Sequence, residues 1–249
     1  MTSKDMTMPT REQAICVVDE YYQFMGAGGA LDEDGSEALE AGSYCYNTAM
    51  NCQDAALHEA RIAYFQAAEH LYRVAQEKHH LFGYVNLGYV YYYDRCEGKY
   101  YPDFRDDTTS KDTLEYCASF DRDKRAYECF TYGAEHGEPE SCYKVGDMLK
   151  HGRGCEVNLE AAKRMYERAY ELGKSVDPVL WGAAALRLGN CYEEGLGCDP
   201  DFSRALFWYE KAETGLEIAV KAGNWYYEKS LKGARDGVLR CKQELHGGY

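Results

Sequence analysis

The sequence predicts an all-α protein in which antiparallel helix pairs stack into a solenoid, with further helices capping each end. Three observations carry this expectation. A unit of about 31 residues occurs twice in the second half of the chain, the mark of a repeat architecture. Only 5 prolines are spread over 249 residues, and no run alternates apolar with polar positions between turn signals, so strands have little to build on. With 45% hydrophobic and 28% charged residues, the chain can bury a sizeable core and is too mixed to stay disordered.

From the N-terminus, Thr10 and Gln13 form a capping box after Pro9 and open a helix to about Met25, stopped by the GAGG beginning at Gly26. Asp34 with Glu37 repeats the signature and opens a second helix to about Cys52. Residues 1–59 hold eleven acids against Lys4 and Arg11, so −9 of the chain's −14 charge lies there. They read as an acidic helical cap, because the terminal unit of a stack must present a polar side. Solubility accounts for that charge ahead of a basic partner. Residues 60–230 carry the repeats, interrupted by a 22-residue insertion near 99–120. Residues 231–249 read as a capping helix: Tyr227, Leu231, Ala234, Val238, Cys241 and Leu245 step by four and three, a stripe that covers the last repeat. All of this forms one structural domain, elongated and slightly curved.

The repeat is legible residue by residue. Tyr143 to Gly173 and Ala185 to Gly215, aligned on Gly146 and Gly189, share a GxG turn, the Cys after it (Cys155, Cys198), an Ala in the second helix (Ala162, Ala205) and an aromatic four residues on (Tyr166, Tyr209). Upstream, Ala68 to Gly88 matches at an offset of 58, one 36-residue period plus the insertion, with Tyr72 against Phe130 and Gly88 against Gly146. Downstream, AVKAGNWYYEK aligns on Gly223 and predicts a fourth first-helix. Gly lets the paired helix approach, and Ala alternating with a large aromatic interdigitates. LGNCYEEGLGC and RALFWYEKA, with Leu188, Gly189, Tyr192, Gly195, Gly197, Ala205, Trp208, Tyr209, Lys211 and Ala212 at pattern positions, resemble the Sel-one-like repeat, a relative of the tetratricopeptide repeat. The resemblance covers about residues 60–230. It departs from the family pattern at Leu149, where Tyr is usual, and at Cys155 and Cys198, where Val is usual. It implies a superhelix whose first helices line the concave side, and a protein or peptide partner.

Most chemistry is excluded. Of 11 Cys no two are closer than seven positions, so no CxxC knuckle exists, and free buried thiols are the better reading, Cys129, Cys155 and Cys198 among them. His79 and His80 diverge on a helix, and His151 with Cys155 lacks further ligands, so no metal is expected. No GxSxG, GxxxxGK[ST] or GxGxxG-after-strand pattern appears, and no cofactor is expected. The charge of −14 repels nucleic acid. No apolar run is long enough for a membrane span and no export signal opens the chain, so a cytoplasmic protein, monomer favoured, is expected.

A binding surface is expected along the first helices. The positions two before the helix Gly, one after it and five after it give three polar columns: Asn86, Lys144, Arg187, Lys221; Tyr89, Asp147, Asn190, Asn224; and Tyr93, His151, Glu194, Glu228. Arg187, Asn190 and Lys144 are expected to anchor an extended acidic segment, with Tyr89 and Tyr93 giving apolar contact. The insertion aromatics Tyr100, Tyr101 and Phe104 are a secondary candidate loop, set against the alternative that they fold back on the helices. A non-catalytic interaction module is the first reading. An enzyme of hydrolase type with a site in the concave groove and a self-associating structural protein are the others.

Overall fold

The computed structural model describes residues 8–26, 32–106 and 109–247. Among these, eleven α-helices and no strand occur. The chain divides into two compact units, residues 1–129 and 130–249, with the boundary inside one helix.

Unit 1 holds α1 (Arg11–Gly26), α2 (Ser36–Asn51), α3 (His58–Glu77), α4 (Leu81–Tyr92), α5 (Lys111–Ser119) and the start of α6 (Arg122–Glu135). The capping box forms: the Thr10 amide donates to Gln13 Oε1 at 3.0 Å and the Gln13 amide to Thr10 Oγ1 at 3.2 Å. The GAGG stop lies mostly outside the described residues. The entry to α2 differs from expectation. Asp34 bonds Ser36 and not the Glu37 amide, and the buried Asp32 caps the helix by accepting from the amides of Glu37 and Ala38, both at 3.1 Å. Asp32 also receives the Tyr21 hydroxyl at 2.8 Å and pairs with Lys78 at 3.2 Å, so one carboxylate ties α1, α2 and the end of α3 together. Burial works against that charge, but the Tyr21 hydroxyl and the two amides hold the carboxyl below its usual range.

α2 does more than cap. It packs along α3, and a Cβ on its Gly42 would stand 2.8 Å from the Tyr72 ring of α3. That is the Gly-against-aromatic contact of the repeats, so a helix pair precedes the first one expected.

Unit 2 holds the rest of α6, then α7 (Pro139–His151), α8 (Leu159–Gly173), α9 (Pro178–Glu194), α10 (Phe202–Lys221) and α11 (Glu228–His246). Each helix from α7 to α11 packs on the next, and α7 also reaches α9 and α9 reaches α11, the neighbour-only pattern of a solenoid. The turns repeat as well. The Asn158 amide bonds the Leu149 carbonyl at 3.0 Å, and the equivalent Asp201 amide bonds the Tyr192 carbonyl at 2.7 Å. Asn158 and Asp201 then cap α8 and α10. Gly152 and Gly195 end α7 and α9 with φ of 66° and 70°.

The fourth first-helix expected around Gly223 is corrected. Gly223 lies in a turn with φ of 99°, after α10 has run on to Lys221. It serves as a helix stop, and α11 begins only at Glu228. Of the expected C-terminal stripe, Leu231, Ala234, Val238 and Cys241 are buried, whereas Tyr227 lies half-buried in the turn before α11 and Leu245 is exposed.

Candidate functional site

Each complete Gly–Tyr contact brings a hydroxyl with it. The Tyr166 ring of α8 fills the space beside Gly146, where a Cβ would sit 2.6 Å from it, and its hydroxyl donates to Asp147 Oδ1 at 2.8 Å. The Tyr209 ring of α10 does the same at Gly189, again at 2.6 Å, and its one hydroxyl hydrogen is shared between Asn190 Oδ1, 2.7 Å away, and Glu193. In unit 1 Tyr72 sits against Gly42 and donates to Ser43 Oγ at 3.4 Å. Burial pushes all three phenols up, Tyr72 to about 12, so they remain donors at any physiological pH. The residue after each Gly is polar because a buried hydroxyl arrives there.

This places the expected columns. Asp147 is only 8% exposed, and besides Tyr166 it accepts from Arg187 Nε at 2.8 Å and Nη2 at 3.3 Å. Arg187 also lies over the Tyr143 ring, 5.5 Å from its centroid. Lys144 is likewise buried, 5.9 Å from the same ring. Within unit 2 Asp147 and Arg187 therefore tie α7 to α9 and Asn190 ties α9 to α10, while Lys144 is buried beside Tyr143 on its own helix. On α7 and α9 the exposed members are His151 and Glu194. In unit 1 Asn86 bonds the Tyr72 hydroxyl. Tyr89 and Tyr93 stack with centroids 6.1 Å apart, Tyr93 lying under Arg95. Lys221, Asn224 and Glu228 share no helical stripe: Lys221 ends α10 and pairs with Glu217, Asn224 lies in the turn, and Glu228 starts α11.

The insertion aromatics fold back. Tyr100 is 3% and Phe104 2% exposed, whereas Tyr101 is half-buried. Tyr100 stacks on Phe120 at 4.8 Å and donates to Asp94 at 3.0 Å. Arg73 holds the carbonyls of Tyr101 and Pro102 at 3.3 and 2.9 Å. Arg73 also pairs with the buried Glu69 at 3.1 Å, and Glu69 accepts the Tyr91 hydroxyl at 2.7 Å. Beside them His70 meets the Tyr22 hydroxyl at 3.0 Å, and burial lowers its pKa to about 4.

A surface that the sequence reading missed opens in unit 1. α1 and α2 both pack on α3, and between them lies a cavity of about 740 Å³. Gln13, Cys16, Val17 and Glu20 form one wall, Tyr44, Thr48 and Asn51 the other, and Tyr64 of α3 contributes to the lining. Through Val17, Glu20 and Tyr44 it continues into a recess of about 510 Å³ bounded by Phe24, Glu37 and Glu40. Tyr44 is 58% and Phe24 52% exposed, costly positions for aromatics without a cover. A signal was present in α1, where Ala14, Val18 and Tyr21 make the core stripe and Val17 and Phe24 fall outside it. Among the described residues no His or Lys lines either recess. Among the described residues no group of three or more His, Cys, Asp or Glu could hold a metal ion. Nor is any of their helices long and apolar enough to cross a membrane.

The Sel1 repeat family model matches residues 139–174 and 182–214, the two copies α7–α8 and α9–α10. Among solved structures, the chain is similar to a Sel1 repeat protein from Oxalobacter formigenes, with 20% identity, 96% of this chain and 88% of that one covered, and a TM-score of 0.46. It is also similar to a protective antigen of uropathogenic Escherichia coli strains displaying an SLR fold, with 18% identity, coverage of 92% and 61%, and a TM-score of 0.36.

Proposed function

We propose that this chain, whose residues 139–174 and 182–214 match the Sel1 repeat model of a family that is generally made of protein-interaction scaffolds and typically non-enzymatic, is a non-catalytic scaffold holding a protein segment in the α1–α2 groove. One observation carries the choice of surface: an open cavity of about 740 Å³ with unburied aromatics on its continuation. Recesses of this size suit a few apolar anchors of a partner. The first-helix columns are less suited, because Asp147, Asn190 and Arg187 already bond within the molecule and a partner would have to compete with those bonds.

The test is comparative retention. Native chain, a Phe24→Ala/Tyr44→Ala variant and an Arg164→Ala control are immobilised, and proteins retained from the native cell are compared. Both groove residues are exposed, so the variant keeps its helical circular dichroism. Proteins lost by the groove variant and kept by the control are the result this reading requires. An unchanged set moves the site elsewhere.

A further inference from the structure

The groove's chemistry narrows its occupant, and this step rests on the reading just given. We infer that the partner segment is a short amphipathic helix carrying Lys or Arg on both flanks of its apolar stripe.

Backbone accounting rules on helix against strand. An extended peptide gains affinity by bonding a free main-chain edge, but both walls here are α-helices whose amides and carbonyls are used internally. No edge is on offer. A helix brings its own backbone bonds and needs only side-chain contacts, which Val17, Phe24 and Tyr44 provide. The wall from Gln13 to Phe24 spans eleven residue steps, about 16 Å at 1.5 Å per residue, which is three turns of an occupant.

Charge fixes the flanks. Glu20 stands on the α1 wall, and Glu37 and Glu40 stand on the α2 wall. All three are exposed and none forms an ion pair among the described residues. Among the described residues no Lys or Arg lines either recess. An acidic helix laid here would meet like charge from both sides, whereas basic residues flanking an apolar stripe meet carboxylates on both.

Cys16 lies in the wall and is the one exposed thiol of the eleven, so its modification rate reports occupancy. The experiment uses the full chain and three synthetic peptides of about 14 residues, a length near four turns. One has a Leu stripe flanked by Lys, one has Gln in place of each Lys, and one scrambles the Lys–Leu sequence. Binding is read by fluorescence anisotropy at low and high salt, and Cys16 by its rate of reaction with a maleimide. The Lys helix is expected to bind at least about tenfold tighter than the Gln helix and the scramble at low salt, and to slow Cys16 modification at least about fivefold. Glu20→Gln with Glu40→Gln should weaken the Lys helix about fivefold and leave the Gln helix unchanged. Equal binding of the Lys and Gln helices overturns the charge class while leaving the groove as the site. Binding of the Lys helix with Cys16 unprotected overturns the location. Failure of all three peptides overturns the helical class, and crosslinking from position 44 to partners in extract then decides the groove independently.

Discussion

Replacing Arg187 tests whether the first-helix columns are ties or ligands. Sequence reasoning expects Arg187→Ala to weaken a partner and spare the fold. The structure predicts a loss of stability. Asp147 keeps only 10% of its side-chain surface, and Arg187 bonds both of its carboxylate oxygens. Breaking a fully buried ion pair from one side costs about 3–5 kcal/mol. Arg187 retains 30% of its side-chain surface and the Tyr166 hydroxyl stays on Asp147, which brings the expected cost of Arg187→Met to about 2 kcal/mol. Met preserves the apolar stem over the Tyr143 ring, so the change isolates the charge. All three tryptophans, Trp181, Trp208 and Trp225, lie in unit 2, so their fluorescence in urea reports this unit specifically. Asp147→Leu leaves the Tyr166 hydroxyl unpaired, and the double variant should recover about 1 kcal/mol relative to the sum of the singles. A loss below about 0.5 kcal/mol for Arg187→Met, with strictly additive singles, refutes the argument.

Gly189→Ala drives a Cβ to 2.6 Å from the ring of Tyr209, which is fully buried and held through its hydroxyl by Asn190 and Glu193. Overpacking should outweigh the gain in helix propensity by about 1–2 kcal/mol, whereas Gly233→Ala, with nothing within 4 Å, should stabilise by about 0.5–1 kcal/mol, both read by urea denaturation. His70 is a base whose pKa falls from 6.5 to about 4 on folding, burial being the main cause, with Arg73 and Arg105 adding to it and Asp103 opposing. The unfolded chain then binds the extra proton between those values, so stability should rise with pH from about 4 to 6.5 and level off above, by at most about 3 kcal/mol. His70→Gln, which keeps an acceptor for Tyr22, should flatten that rise in thermal melts, and an identical slope counts against it. Modification of native protein by a thiol reagent should show one fast equivalent, abolished by Cys16→Ser. Burial pushes Cys45 and Cys129 up to about 12, and seven of the eleven thiols are buried.

The repeats were readable because their determinants are local. Gly146 with Tyr166 and Gly189 with Tyr209 recur at the same spacing of 20, and Asn158 and Asp201 mark the helix starts. The α2–α3 pair escaped notice because Gly42 lies further from the end of its helix, and Tyr72 further from the start of its own, than their counterparts in the repeats, which puts Tyr72 30 residues after Gly42. Gly223 misled for another reason: a glycine that admits a neighbouring ring and one that ends a helix with positive φ look alike in a string of letters. Cys155 and Cys198 came out half-buried where burial was expected, since the GxG turn leaves them at its margin. Lys144, Asp147 and His151 do lie on α7 and Arg187, Asn190 and Glu194 on α9, whereas Lys221, Asn224 and Glu228 share no helix, and sequence shows a residue's polarity but not what satisfies it. The hydroxyl bound to Asp147 comes from a residue 19 positions away, and its guanidinium from one 40 away. The groove depends on the gap between α1 and α2 over α3, a tertiary distance without a motif.

The central claim is that a protein partner sits between α1 and α2, and photo-crosslinking reads it most directly. A photoreactive residue is placed at position 44 in the groove, or at position 190 on the first-helix column, and the chain is illuminated in extract of its native cell. The account predicts discrete adducts with a partner from position 44 that disappear when Cys16 is first capped with a bulky maleimide. Adducts from position 190 alone, or adducts from position 44 that persist after Cys16 is capped, contradict it.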